Sequence, residues 1–211
     1  MQEEINNDYL VDYLISNGAL QSENLIKAFR KIDRKDFILI EEESVPYLDA
    51  PLQIGYGQTI SQPQVVAFML ELLDLQDGNR VLDIGSGSAY TTALIASCIG
   101  RVGYVFGLER IPALIEFGKN NLRKYEIYNA FISKASFNLG IKHKKFDKIL
   151  VSAAADSLPL ELLEQLEDDG KLVIPIKNSI FLIEKRDGQF FEKEFEGFSF
   201  VPLVVENKEM L

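Results

Sequence analysis

The stretch from Val81 to Tyr90, Val-Leu-Asp-Ile-Gly-Ser-Gly-Ser-Ala-Tyr, constrains this chain more than any other. An apolar strand ends here in a turn that contains Gly85 and Gly87, and a helical pattern follows. Glycines at such a turn leave bare backbone that a bulky ligand can approach closely. Glu109 closes the next predicted strand, where a carboxylate can accept hydrogen bonds from ribose hydroxyls. The spacing therefore indicates a site for an adenosine-containing cofactor.

The same loop lacks the third glycine of the dinucleotide fingerprint G-x-G-x-x-G, because Tyr90 occupies that position. In dinucleotide-binding folds this glycine lets helix and strand pack closely around a pyrophosphate. A tyrosine therefore argues against NAD or FAD and favours an adenosine cofactor without phosphates, with S-adenosylmethionine as the obvious candidate. Ordinary strand-to-helix turns also use glycine, so a purely structural loop is the alternative at this point.

The composition is that of an acidic domain with a large core. The chain has 211 residues, of which 47% are hydrophobic, and a net charge of -10 that argues against a nucleic-acid partner. A single cysteine, Cys98, and a single histidine, His143, exclude an internal disulfide and the usual kind of zinc site. We find no bilayer-spanning apolar run and no signal peptide. We therefore expect a cytoplasmic protein without metal or membrane partners.

The order of predicted elements describes an α/β fold. Helices at 8–17 and 22–32, the second capped by Ser22, precede an irregular stretch at 33–59 whose length favours a binding role. Helices then alternate with short apolar strands, which predicts a parallel sheet covered on both faces. These helices are 62–73, 90–99, 112–124 and 159–166, and the strands are 80–84, 102–108, 129–133, 147–152 and 171–176. Strands at 180–185, 189–195 and 199–205, the first two joined by a hairpin turn, predict an antiparallel edge.

A further motif precedes the glycine loop: residues 55–63 are Gly-Tyr-Gly-Gln-Thr-Ile-Ser-Gln-Pro. Other characteristic segments are 46–51 (Pro-Tyr-Leu-Asp-Ala-Pro), 108–111 (Leu-Glu-Arg-Ile), 151–155 (Val-Ser-Ala-Ala-Ala), 170–175 (Gly-Lys-Leu-Val-Ile-Pro) and 200–203 (Phe-Val-Pro-Leu). In content and order these segments resemble the protein-L-isoaspartate (D-aspartate) O-methyltransferase family. The likeness runs from about residue 8 to residue 205, and the segment 55–63 is its most specific part.

The resemblance implies a Rossmann-like class I S-adenosylmethionine-dependent methyltransferase. Its sheet would have seven mostly parallel strands, with an antiparallel C-terminal edge and extra N-terminal helices. Residues 1–211 would form one domain, with N-terminal helices and a substrate-side loop in 1–60 and the cofactor-binding core in 61–211. The implied reaction methylates the α-carboxylate of L-isoaspartyl residues in damaged peptides or proteins and leaves S-adenosylhomocysteine. The ester then collapses to a succinimide, and the outcome is protein repair. We expect a monomer.

The chemistry of such a reaction suits a chain with so little histidine and cysteine. A carboxylate with a pKa near ~4 is already ionised at neutral pH and needs no general base. The enzyme has to align the carboxylate with the methyl carbon and exclude water, which can supply about 7 to 11 kcal/mol.

Ser61 is the candidate residue at the reaction centre, because the resemblance implies that its hydroxyl orients the incoming carboxylate. Ser61 and Gln64 also form an S-x-x-Q pattern with Pro63 in the first turn, so helix capping is the alternative role. The two roles are compatible, since free N–H groups at a helix start attract an anion.

The remaining candidates divide between cofactor and substrate. The predicted cofactor-binding residues are Gln58, Thr59, Ile60, Asp83, Gly85, Ser86, Gly87, Ser88, Glu109, Arg110 and Ser136. The predicted substrate-binding residues are Tyr47, Asp49, Ile54 and Val204. Asp83 is expected either to accept hydrogen bonds from the glycine loop or to lie near the sulfonium.

The chain departs from the family pattern after the third strand of its core. The family has Gly-Asp-Gly there, whereas this chain has Ala135-Ser136-Phe137. Hydrogen bonds to charged groups contribute ~1.5–3 kcal/mol against ~0.5–1.5 kcal/mol for neutral ones, so Ser136 should lower cofactor affinity several-fold to tenfold or more. Phe137 either packs on the adenine or fills the core. Ala89 also replaces a usual glycine.

Two other functions are left open by the sequence. One is a methyltransferase that acts on a different peptide carboxylate. The other is a non-catalytic binding module that keeps the fold, for which the altered segment 135–137 is the only support.

Overall fold

The structure is a computed structural model that describes residues 5–136 and 138–204. The helices are α1 Asn7–Ser16, α2 Glu23–Lys31, α3 Pro63–Leu73, α4 Tyr90–Cys98, α5 Pro112–Arg123 and α6 Leu160–Glu164. The strands are β1 Leu52–Gly55, β2 Gln58–Ile60, β3 Arg80–Ile84, β4 Tyr104–Glu109, β5 Ala130–Lys134, β6 Phe146–Val151, β7 Leu166–Ile176, β8 Ser179–Arg186 and β9 Gln189–Glu196. Two short 3-10 helices, Arg34–Phe37 and Ile40–Glu42, lie between α2 and β1.

Seven strands form one sheet in the order β5-β4-β3-β6-β7-β8-β9. The pairs from β5 to β7 are parallel, and β8 and β9 add an antiparallel edge, which confirms the expected Rossmann-like fold. The chain proceeds outward from β3 to β4 and β5, and then crosses to β6 on the other side of β3. In such open α/β sheets the ligand crevice lies at the carboxyl ends of the strands, beside this switch point.

The N-terminal helices share a hydrophobic core with the sheet. Leu10 of α1, Phe29 of α2 and Leu94 of α4 belong to the same buried cluster as Val81 of β3. Burial of this apolar surface joins helices α1 and α2 to the core, because each buried side chain of this size contributes about 1.5–3 kcal/mol. In the residues that the structure describes, no helix combines the length and apolar character needed to cross a membrane.

Three local predictions were wrong. Part of the stretch at 33–59 is regular, because β1 and β2 pair as an antiparallel hairpin with Leu52 opposite Ile60. The segment 199–204 is not a strand: it makes a single bridge, between Pro202 and Ala154, since proline has no N–H for a ladder. Residue 205 lies outside the described residues. Ser22 occupies the N-cap of α2, but its hydroxyl donates to Glu71 instead of capping.

Candidate active site

The glycine loop connects β3 to α4 at the switch point of the sheet. Gly85 and Gly87 have φ angles of 81° and 51°, a left-handed conformation that glycine adopts without strain. Ala89 is also left-handed, with a φ of 70°, which costs an L-residue roughly 1–2 kcal/mol. The turn is closed by the Ala89 N–H, which donates to the Ser86 carbonyl at 2.7 Å. The loop thus has the tight geometry that the sequence predicts, although alanine occupies a position that suits glycine.

Glu109, at the end of β4, connects the glycine loop to the start of α5 through hydrogen bonds to the main chain. One carboxylate oxygen accepts the Gly87 N–H at 3.0 Å, and the other accepts the Ile111 N–H at 2.9 Å, at the entry to α5. The side chain is only 6% exposed. Each oxygen retains a second lone pair, so the carboxylate can still accept hydroxyl hydrogen bonds.

A first cavity, which we call the loop cavity, lies beside the glycine loop. It has a volume of about 70 Å³. Its lining residues include six of the predicted ones: Gln58, Gly85, Glu109, Arg110, Ser136 and Val204. Val204 was expected at the substrate instead. Ligand sites usually measure ~300–1,000 Å³, so the walls must separate to admit an adenosine. One wall is the segment 202–204, which among the described residues joins the sheet region through backbone hydrogen bonding to Ala154 alone.

Asp83 lies under the loop and does not line this cavity. It is fully buried, and one of its oxygens accepts the Thr92 hydroxyl of α4 at 2.6 Å. The other oxygen has no hydrogen-bond partner among the described residues. Burial, opposed by the Thr92 hydrogen bond and reinforced by the charge of Glu109, raises the pKa of Asp83 to about 7. Of the two expected roles, the structure supports neither: Asp83 binds the helix that follows the loop.

Four other predicted contacts also lie behind the cavity wall. Ser86 and Ser88 are buried, and the Ser88 carbonyl accepts the side-chain amide of Asn121 at 3.0 Å. Ile54 packs so closely on the loop that a Cβ on Gly87 would come within 3.0 Å of it, and Ile60 belongs to the core. These residues shape the loop from beneath.

Ser136 has the geometry of a hydrogen-bond acceptor at the rim of the loop cavity. Its hydroxyl donates to the Asn138 carbonyl at 3.0 Å, which leaves the oxygen lone pairs free to accept. Phe137, predicted either to pack on the adenine or to fill the core, lies outside the described residues.

A second cavity of about 540 Å³, the Ser61 cavity, lies next to the first. Its lining residues include Thr59, Ser61, Gln62, Val65, Ser152, Phe198 and Val201. The Ser61 hydroxyl makes no hydrogen bond to any of the described residues and is available to a ligand. Thr59, predicted at the cofactor, lies here.

The two cavities adjoin each other, although none of the described residues lines both. At three places, one residue lines the loop cavity and its neighbour in the chain lines the Ser61 cavity. These pairs, with the residue of the loop cavity first, are Gln58 and Thr59, Ala153 and Ser152, and Pro202 and Val201. Since neighbouring residues of a chain lie ~3.8 Å apart, the two cavities are separated by little more than one residue at each crossing. The loop cavity and the Ser61 cavity therefore adjoin along these three stretches of chain.

Asp49, not Ser61, caps helix α3. Its carboxylate accepts the Gln64 N–H and the Gln62 side-chain amide, both at 2.9 Å. Gln62 is the N-cap residue, so the capping alternative for Ser61 was wrong. Asp49 and Tyr47 both line a third cavity of about 690 Å³, and Tyr47 donates its hydroxyl hydrogen to Asp33 at 3.1 Å.

The lining residues of the Ser61 cavity that sequence reasoning missed include Ser152, Phe198 and Val201. Ser152 and Val201 fall inside the segments 151–155 and 200–203, which are typical of the family. The motifs therefore marked these positions but did not indicate what the two residues do. Phe198 had no signal. Its ring stacks on Phe68 of α3 at 5.5 Å, which holds the C-terminal segment against the helix.

Comparison with known proteins identifies the family. The model of a family described as Protein-L-isoaspartate(D-aspartate) O-methyltransferase (PCMT) matches residues 5–208. The chain belongs to this family. A protein-L-isoaspartate O-methyltransferase of Fervidobacterium nodosum is 40% identical over 187 residues, which is 86% of this chain and 94% of the relative. One from Methanopyrus kandleri is 40% identical over 206 residues, 93% of this chain and 90% of the relative.

A solved structure supports the same assignment. It comes from Plasmodium falciparum, is assigned as a protein-L-isoaspartate O-methyltransferase and contains S-adenosyl-L-homocysteine. It superposes with a TM-score of 0.87 at 30% identity and covers 96% of this chain and 100% of that one. The family named by the comparisons is the one that the segment 55–63 indicated.

Proposed function

We propose that this chain transfers a methyl group from S-adenosylmethionine to the α-carboxylate of L-isoaspartyl residues in damaged peptides and proteins, and so begins their repair. Membership of the family supports this activity. The observation that carries it is the pair of adjoining cavities, one beside Glu109 and the other beside Ser61.

The residues of the loop cavity fit S-adenosylmethionine, which supplies the methyl group when bound. Glu109 can accept the ribose hydroxyls, because each of its oxygens has a free lone pair beyond its backbone hydrogen bond. Ser136 can accept the adenine amine, and Ile84, Leu108 and Leu139 offer apolar walls. Gln58 lies at the border with the Ser61 cavity, where the methionine end belongs.

In the Ser61 cavity the chain has only to hold and orient the acceptor. The isoaspartyl α-carboxylate arrives ionised, since its pKa is near ~4, so no residue has to remove a proton. The Ser61 hydroxyl donates a hydrogen bond to it, and Thr59 and Ser152 add polar contacts on the same wall. Val65, Phe198 and Val201 exclude water, which strengthens these interactions.

Tyr47 and Asp49 stay candidates for the substrate chain. Their cavity is separated from the Ser61 cavity by the hydrogen-bonded pair Asp49 and Gln62. An extended peptide advances ~3.3 Å per residue, so a few residues on one side of the isoaspartyl group span this distance.

We further propose a cytoplasmic monomer whose residues 1–211 form one domain. The core shared by the N-terminal helices and the sheet supports one domain. The single cysteine, buried in α4, supports a reducing compartment.

The test of the function compares an isoaspartyl peptide with its normal aspartyl twin. We expect the purified protein to add one methyl group to the first and none to the second, measured by mass shift or by radiolabel. Methylation of both, or of a different carboxylate only, would favour the alternative methyltransferase. A calorimetric titration with S-adenosylmethionine that gave no heat would favour the binding module.

Glu109→Gln is expected to raise the Kd of S-adenosylhomocysteine at least tenfold. The substitution removes a charge that accepts from ribose, and each charge-assisted hydrogen bond contributes ~1.5–3 kcal/mol. Isothermal titration measures the Kd, and Glu116→Gln on the exposed face of α5 is the matched control. An unchanged Kd would remove Glu109 from the ribose site.

A further inference from the structure

Arg34 is a buried cation that the proposed chemistry does not use. It is 0% exposed, and among the described residues it forms no ion pair. Its guanidinium instead donates to three carbonyls: to Pro46 at 3.1 Å, to Ser61 at 2.9 Å and to Ala50 at 3.0 Å. A buried charge is costly unless it is fully hydrogen-bonded, and burial lowers the pKa of Arg34 to about 10. The fold therefore retains an expensive group at this point.

The three carbonyls all belong to the chain that leads to the reaction centre. Ser61 lies two residues before α3. The first carbonyl that accepts a helical hydrogen bond is that of the N-cap residue Gln62, which accepts the Val66 N–H at 3.0 Å. The Ser61 carbonyl thus has no helical partner, and Arg34 supplies its donor. Arg34 consequently fixes the main chain of Ser61, while Asp49 fixes the first turn that follows.

The other side of the guanidinium faces the start of helix α4. Its central carbon lies 5.8 Å from the centre of the Tyr90 ring, within range of a cation–π interaction. Tyr90 is the first residue after the glycine loop, and its ring is held by Phe29 and Phe37. Arg34 therefore lies between the exit of the glycine loop and the carbonyl of Ser61.

We propose that Arg34 is a positioning residue for methyl transfer, which sets the Ser61 hydroxyl relative to the glycine loop of the cofactor site. This inference rests on the proposed function. The planar guanidinium donates to the three carbonyls from three separate nitrogens in fixed directions, a geometry that the one nitrogen of lysine does not reproduce. A displacement of Ser61 would misalign the acceptor carboxylate, and a misplacement of about 1 Å can lower a rate about a hundredfold.

The test is a double-mutant cycle between Arg34→Lys and Ser61→Ala. We expect Arg34→Lys to lower kcat at least tenfold and to change the Kd of S-adenosylhomocysteine less than twofold. In the Ser61→Ala background the same substitution should lower kcat by less than twofold, because the group through which it acts is gone. The kcat is normalised to the sites that bind S-adenosylhomocysteine, so that an unfolded fraction does not imitate the loss.

Tyr90→Leu provides a second variant that keeps all three hydrogen bonds of Arg34. It should lower kcat several-fold, and again only when Ser61 is present. Equal losses in both backgrounds for either variant, or an unchanged kcat in Arg34→Lys, would overturn the positioning role. The two failures are distinguishable. A wild-type protein that methylates no isoaspartyl peptide would overturn the proposed function, whereas an active wild type without coupling between the variants would overturn only the positioning role.

Discussion

Ser61→Ala is expected to lower kcat for an isoaspartyl peptide about 100-fold or more and to leave the free energy of unfolding unchanged. The hydroxyl is the donor that orients the acceptor carboxylate, and removal of one oriented donor from a reaction centre costs ~10²–10³ in rate. Stability should not change, because the helix cap comes from Asp49 and the Ser61 hydroxyl bonds to none of the described residues. Methyl transfer at saturating S-adenosylmethionine and urea unfolding measure the two quantities.

Ser16→Ala is the matched control for this substitution. Ser16 ends helix α1, and its hydroxyl donates to the Tyr13 carbonyl at 2.8 Å, away from both the loop cavity and the Ser61 cavity. We expect wild-type kcat from this variant. A Ser61→Ala protein that kept its rate but unfolded about 1 kcal/mol more easily would restore the capping role and remove Ser61 from the reaction centre.

The parts of the molecule that follow from local pattern were predictable from sequence. Strand β3 was predicted at 80–84, where the structure has it, because a short apolar run bounded by charge and glycine has few alternatives. Glu109 was placed correctly for the same kind of reason: it ends the strand next to the loop, and parallel strands bring their carboxyl ends to one edge.

The parts that depend on distant residues were not predictable. The S-x-x-Q pattern that includes Ser61 is typical of a helix cap, but Asp49 reaches the same helix from 15 residues before Gln64 and takes that role. Arg34 lies between Asp33 and Lys35, which is the pattern of a solvated turn. Only the return of the chain around its side chain buries it, and no local signal encodes that return.

The sequence also did not show which of the predicted serines line the loop cavity and which are buried behind it. Ser86 and Ser136 have the same side chain, and both were predicted at the cofactor. Ser136 lies on the rim of the loop cavity, whereas Ser86 is buried with a hydroxyl that has no partner among the described residues. Ser86 lies within the left-handed turn at 85, 87 and 89, whereas Ser136 follows β5, and the residue type alone does not distinguish these two positions.

Asp83→Asn is expected to stabilise the protein at pH 8 and not at pH 4. The pKa of Asp83 is raised to about 7 in the folded protein, against ~3.9 for a free carboxyl. A raised pKa means that the protonated form is the stable one, so this contribution is full below pH ~3.9 and is lost as the pH rises to about 7. Between those values the folded protein binds one more proton than the unfolded chain, and the free energy of unfolding falls by ~1.4 kcal/mol per pH unit.

The neutral asparagine has no proton to lose, so it avoids this loss. The difference in free energy of unfolding between Asp83→Asn and wild type should therefore be about zero at pH 4. At pH 8 the variant should be more stable by on the order of 4 kcal/mol, less any cost of placing the amide nitrogen. Urea unfolding across this pH range measures the difference. Asp147→Asn is a control of opposite sign. Burial alone would raise the pKa of Asp147, but hydrogen bonds from Arg80 at 2.7 Å outweigh this effect and lower the pKa overall. That substitution should destabilise at pH 8, and equal pH profiles for wild type and Asp83→Asn would show that Asp83 stays ionised under the glycine loop.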